Sequence, residues 1–341
     1  MEARWLIALV ASSAACHAQP TPLGEIPADP EAGATTTNAS STFAIDQIFL
    51  GDTDRTNQAS TTAWQGFGYD LDGLHTDATS TDVCSLQPGA SLAYQVDGPG
   101  GIDNAWGALV LPILETAMSE AHPSNAATLA IGRGDWTLLV QVDGLSDDAQ
   151  QNADSLDAQV SVGAPTTPPA FDGTTNWPVR PGAPVHFSKV YVVGGTLVAR
   201  DADAAISIPL EIGIFGSAAT LSFVLPLVVH DPIITFAHTS PDAAENGTLA
   251  GVLDAEAFIA TLQAFAGRIS ASLCGSAFDG IASQLRACEE ILPDGSNDPS
   301  AMCSGISLGI GFRATRVANP TTIGDEPPPP PDPCLDGGGA D

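Results

Sequence analysis

Basic side chains are scarce: Lys189 is the single lysine, and ten Lys and Arg stand against forty Asp and Glu, a formal charge of −30. Duplex DNA, RNA and anionic headgroups are thereby excluded as direct partners, because each contact would set like charge against like. No CxxC pair, HExxH or close histidine pair occurs among the six histidines, His17, His75, His122, His186, His230 and His238, which argues against a zinc site or a transition-metal enzyme. Gly98–Gly101 lacks the Lys and the Ser or Thr of a phosphate loop. The ordered ExDxE spacing of sandwich glycosidases is missing too. The longest apolar region, from Ile206 to Val229, contains Pro209, Glu211, Pro226 and a turn-like GSAAT, so it reads as two strands and not a membrane span.

The chain opens MEARWLIALVASSAAC, with Arg4, an apolar run from Trp5 to Ala11, and small residues up to Ala15, the layout of an export signal over residues 1–18. Small residues directly before Cys16 favour cleavage there and lipidation of Cys16; ordinary cleavage after Ala18 is the alternative. The expected location is a lipid anchor at the outer membrane or cell surface, or else secretion. Residues 19–42, rich in Pro, Thr, Ala and acid, read as a disordered tether, and the Pro- and Gly-rich residues 321–341 as a disordered tail. In an oxidising compartment the remaining cysteines, Cys84, Cys274, Cys288, Cys303 and Cys334, predict two bridges and one thiol. Cys288 with Cys303 is the first choice because it closes a short loop, with Cys274 competing for the same partner.

Between the termini the dominant signal has period two. Trp136, Leu138, Val140 and Val142 share one side of a segment, as do Ile206, Ile208, Leu210 and Ile212 of a second and Ile306, Leu308, Ile310 and Phe312 of a third. KVYVVGGTLVAR predicts a hairpin turning at Gly194-Gly195, since glycine supplies the positive φ angles of a two-residue turn. Helical spacing appears in WGALVLPILETAMSEA, interrupted near Pro112, and at Phe258, Leu262, Phe265 and Ile269, with Asp254 as cap. The expectation is a mainly β chain: one antiparallel β-sandwich over residues 43–320, with a helical excursion over 254–290 before the last strand. A separate small helical domain is the alternative.

GISLG, Gly305 to Gly309, matches the GxSxG of hydrolases, but no histidine follows Ser307, and the glycines fall at alternate places of a predicted strand, which suggests close backbone packing. In YDLDGLHTDATSTDVC, Asp70, Asp72, Asp77 and Asp82 have the spacing of a calcium loop turning at Gly73, and a second acidic turn with Asp97, Asp103 and Asn104 follows. The stretch reads first as a hydrated turn and second as a Ca2+ site.

The series FAIDQIFLGDTDR, GFGYDLDGLHT, DGPGGIDNAWG, WTLLVQVDG and CSGISLGIGFRAT resembles a group of exported, lipoprotein-like proteins of myxobacterial type with no assigned activity. That resemblance implies export and a cell-envelope role. The functional expectation is a non-catalytic binding or structural lipoprotein for an extracellular or envelope ligand, touching membrane only through its lipid. The alternative is a secreted hydrolase that attacks glycans through paired carboxylates. Trp64, Trp106, Trp136 and Trp177 are the aromatics that would line a sugar groove, with core packing as the competing role.

Overall fold

A computed structural model of the chain describes residues 22–30, 36–118, 122–216, 219–269, 271–325 and Cys334. The signal segment 1–18 and Cys16 lie outside the described residues. The alternating segments become ten antiparallel strands: β1 Ser40–Phe49, β2 Thr137–Asp143, β3 Asp157–Gly163, β4 Val185–His186, β5 Lys189–Val193, β6 Thr196–Arg200, β7 Ala205–Gly216, β8 Ala219–Ser240, β9 Ala243–Asp254 and β10 Gly305–Val317. The helices are α1 Leu111–Met118, entered through a π turn Trp106–Val110, α2 Pro123–Arg133, α3 Ala255–Ile269 and α4 Asp279–Arg286.

All ten strands belong to one sheet, ordered β4-β3-β2-β1-β10-β9-β8-β6-β5, with β7 paired to β8. The chain is therefore mainly antiparallel β, but the strands curl into a half-barrel and no second sheet stacks on the first among the described residues. The strands are long and locally bent, and this lets one sheet wrap a core. β8 pairs with β7 through His230 and with β6 from Ile233 onward; between them the register shifts at Asp231, whose φ is +48°, so Asp231-Pro232 makes a bulge and not a break. The sheet's flanks approach each other at Ala153, just before β3, which exchanges two backbone bonds of 2.9 and 2.8 Å with Val192 on β5.

The inward faces match the sequence pattern closely. Trp136, Leu138, Val140 and Val142 are buried, as are Ile206, Ile208 and Leu210, and Ile306, Leu308, Ile310 and Phe312. They join one core with Phe258, Leu262 and Phe265 of α3 and Ala127, Ala130 and Ile131 of α2. Trp106, Trp136 and Trp177 are fully buried, so three of the four inspected tryptophans serve packing. Gly194 and Gly195 take φ of +55° and +78° in a turn closed by the Val193 and Thr196 pair, the hairpin that the two glycines predict. Asp254 caps α3 through the amide of Ala257, 2.8 Å away. Helices α3 and α4 then separate β9 from β10, and the last strand returns to the middle of the sheet, between β1 and β9. Helix α2 was not anticipated; it starts on Pro123 and ends at Gly134, whose φ of +85° accepts the left-handed stop.

Three expectations need correction. Cys84 pairs with Cys303 and Cys274 with Cys334, leaving Cys288 as the buried thiol, so the Cys288–Cys303 bridge does not form. Cys288 sits at the end of α4 with its Sγ turned back to the Gln284 carbonyl, whereas a bridge between Ser85 and Met302 sets Cys84 beside Cys303. Residues 22–30, read as tether, dock on the body: Gly24 accepts from the Asp70 amide, Pro27 from the Tyr191 hydroxyl, and Asp29 pairs with Lys189 at 2.9 Å. Of the residues read as tail, Gly324 donates to the Val179 carbonyl and Cys334 is held by its bridge.

Candidate functional site

The inward residues of β10 alternate with Gly305, Ser307, Gly309 and Gly311, which face the opposite side of the sheet. The long irregular segment between β1 and α1 covers that side. A Cβ on Gly309 would meet the Phe67 carbonyl at 2.4 Å, and one on Gly311 the Phe67 ring at 2.3 Å. The alternate glycines thus exist because the covering chain touches the strand's backbone, as their spacing suggests. Asn104 clamps the contact. Its Nδ2 donates to the carbonyls of Trp64, Phe67 and Gly309, and its Oδ1 accepts from the amides of Gly107 and Gly309. Arg55 adds a second tie, donating to Gly247 and Thr248 of β9 while lying 4.8 Å from the Phe67 ring centre.

Ser307 is buried in mid-strand, where its Oγ accepts from the Ala105 amide at 2.8 Å and its own amide donates to Glu290 at 2.8 Å. A strained strand-to-helix turn and an accessible hydroxyl are what a GxSxG nucleophile requires, and Ser307 has neither.

Around Glu290 the loops gather acids. Ligand atoms of Asp70, Asp72 and Asp103 lie within 4.8 Å of one another. Asp103 accepts from the Leu71 amide at 2.7 Å, Asp97 from the Thr76 amide, Asp72 from the Asn297 amide group, and Asp70 from the Gly73 amide at 2.7 Å. Among the described residues no lysine or arginine forms an ion pair with these acids; His75 reaches Asp70 at 3.5 Å. Burial in low dielectric disfavours the charged form, and neighbouring carboxylates add to it. Asp97 is pushed up to about 6, chiefly by burial and then by Asp72 and Asp70. Glu290, also by burial first, rises to about 8 despite its bonds from Ser307. Asp103 is held well above the usual carboxylate range by burial and then by Glu290, Asp72 and Asp97.

Of the four aspartates expected to share a site, Asp70 and Asp72 converge and Asp77 and Asp82 do not join them. Asp77 is an exposed turn residue whose Oδ1 caps the amide and hydroxyl of Thr79 at 2.7 and 2.6 Å, and those bonds lower its pKa. The hydrated-turn reading holds for that half of the stretch. Asp103, from the second acidic turn, completes the group in their place.

Beside the acids lies a cavity of about 310 Å³ lined by Trp64, Tyr94, Gln95, Val96, Leu109, Asn104 and the carboxylates of Asp97, Asp103 and Glu290. No protein-family model, curated protein or solved structure matches the chain. Sequence reasoning missed Glu290 and Tyr94 as site residues. Their only signals are a tandem Glu289-Glu290 before an apolar Ile-Leu and an aromatic three residues ahead of Asp97.

Proposed function

We propose that the protein is an exported, non-catalytic cell-envelope binding protein, lipid-anchored through Cys16, whose binding site is the carboxylate-lined cavity over β10. The layered body supports this reading, with helices α2 and α3 standing where a sandwich would have its second sheet. The two disulfides suit an oxidising compartment. The observation that carries the binding role is the cavity itself: its acids are held by backbone amides, that of Ser307 included, and the Ser307 hydroxyl is spent on the Ala105 amide. Fixed, concave and hydrogen-bonded walls are what recognition needs. In this reading Asp70, Asp72 and Asp103 take a calcium ion through hard carboxylate oxygens and so staple the covering segment to the sheet. Calcium then raises the melting temperature and EDTA reverses the rise; no shift with either removes the metal from the proposal. Mass spectrometry of the mature N-terminus tests the anchor, a diacylglyceryl Cys16 supporting it and a free Gln19 refuting it.

A second reading, glycan hydrolysis, draws on one observation: Trp64 and Tyr94 line the same cavity as Asp97 and Glu290, one carboxyl near 6 and one near 8. Release of reducing sugar from a glycan panel, abolished by Asp97→Asn and Glu290→Gln, would establish it over the first.

A further inference from the structure

The cavity's lining narrows its ligand. It includes Asp97, Asp103 and Glu290 and no Lys, Arg or His. An anion would meet the Asp97 carboxylate on entering, with no cationic side chain to offset it, and a purely apolar molecule would strip water from carboxyl groups without replacing its bonds. The lining also includes Trp64, Tyr94, Val96 and Leu109. Of these, Tyr94 and Val96 are 36 % and 43 % exposed, and Leu92 close by in sequence is 61 % exposed, so apolar surface adjoins the acids. A bare metal ion would leave that apolar surface unused.

Gln95 supplies an independent pointer. It is 6 % exposed and lines the cavity, and its Nε2 donates to the carbonyls of Asp77 and Ser80 at 2.7 and 3.3 Å. The nitrogen is committed to the loop and the amide oxygen is not. Among the described residues it accepts no hydrogen bond. That oxygen is open to water in the cavity and free to accept, so a ligand that brings N–H groups has an acceptor there.

We infer that the cavity binds a small organic cation: a protonated amine whose ammonium group sits among Asp97, Asp103, Glu290 and the Gln95 oxygen, and whose short aromatic or apolar body lies against Trp64 and Tyr94. This rests on the binding-protein reading above and names its ligand class. An ammonium carries three donors and matches four acceptors held on fixed backbone. Aromatic faces beside a cation add attraction through the ring quadrupole. The volume of about 310 Å³ lies at the small end of ligand pockets, which limits the body to one ring or a short alkyl chain.

The test is isothermal calorimetry on the full chain with phenethylamine and, as its neutral isostere, 2-phenylethanol, with cellobiose and calcium chloride as parallel titrants. Binding of the amine at least tenfold tighter than the alcohol is expected. Gln95→Leu and Tyr94→Ala should each weaken the amine fivefold or more, while Leu129→Ala, exposed on α2, should leave it unchanged. Tyr94 is the check against misfolding, since a side chain 36 % exposed can be truncated without opening a core. Equal affinity for the alcohol, or no heat from millimolar amine, overturns the inference. If cellobiose alone binds and loses affinity in Tyr94→Ala, the amine falls but the binding protein stands. If none of the four titrants gives heat, both fall.

Discussion

Replacing Glu290 by Gln should flatten the pH dependence of stability. Glu290 is 9 % exposed, and burial, helped by Asp97 and Asp72, lifts its carboxyl from 4.5 to about 8. A raised acid pKa means that the folded state holds the proton more tightly than the unfolded one. Its contribution is thus complete below about pH 4.5 and is lost as pH climbs through 8. Each pH unit in that window costs about 1.4 kcal/mol, which would sum to about 4 kcal/mol at pH 8 for an independent group. Because Asp97 and Asp103 share the load, about 2 kcal/mol is the safer lower figure. Glutamine keeps an oxygen for the Ser307 amide and cannot ionise. In urea titrations with EDTA, wild type should therefore lose about 2–4 kcal/mol more than Glu290→Gln between pH 5 and pH 8. Some slope will persist in the variant from Asp97 and Glu289, both raised by burial. Parallel stability profiles for the two proteins would refute the buried-acid argument.

Non-reducing peptide mapping should recover Cys84 joined to Cys303 and Cys274 joined to Cys334, with iodoacetamide labelling Cys288 only after denaturation, since burial pushes that thiol up to about 12. A Cys288–Cys303 peptide would contradict the arrangement. Loss of Cys84–Cys303, whose partners are 219 residues apart, should destabilise by about 5 kcal/mol at most on chain-entropy grounds, read as a lower urea midpoint in the Cys84→Ser, Cys303→Ser double variant. Gly311→Ala should cost about 1–3 kcal/mol, because the added methyl meets the Phe67 ring at 2.3 Å; an unchanged melting temperature would mean that the covering segment does not rest on β10.

Local physics made much of this fold legible. Alternation located the buried faces of β2, β7 and β10, the Gly194-Gly195 turn fixed a hairpin, and a chain that left its sheet for helices came back to it as β10. The alternate glycines of GISLGIG also disclosed their cause, contact with another backbone. Less could be read where distant segments decide the outcome. Asp103 joins Asp70 and Asp72 because Tyr69 and Asp103 bridge, a pairing that no spacing within either turn encodes. Asp77 looked equivalent to Asp72 but spends its carboxylate on Thr79 two residues on. The disulfide expectation weighted short loops, whereas the pairing follows which cysteines the Ser85–Met302 bridge lays side by side. The single curled sheet escaped prediction because bulges, such as the one at Asp231, bend strands without altering their alternation.

The central seam of the sheet joins its earliest strand to its latest, with Thr42 opposite Val317. Nothing synthesised before residue 305 can complete that seam, so the nascent chain leaves β1 and β9 with open edges until β10 has emerged. Topology therefore delays the core: the sheet closes, and Cys84 meets Cys303, only once the last strand and the residues just before it are made.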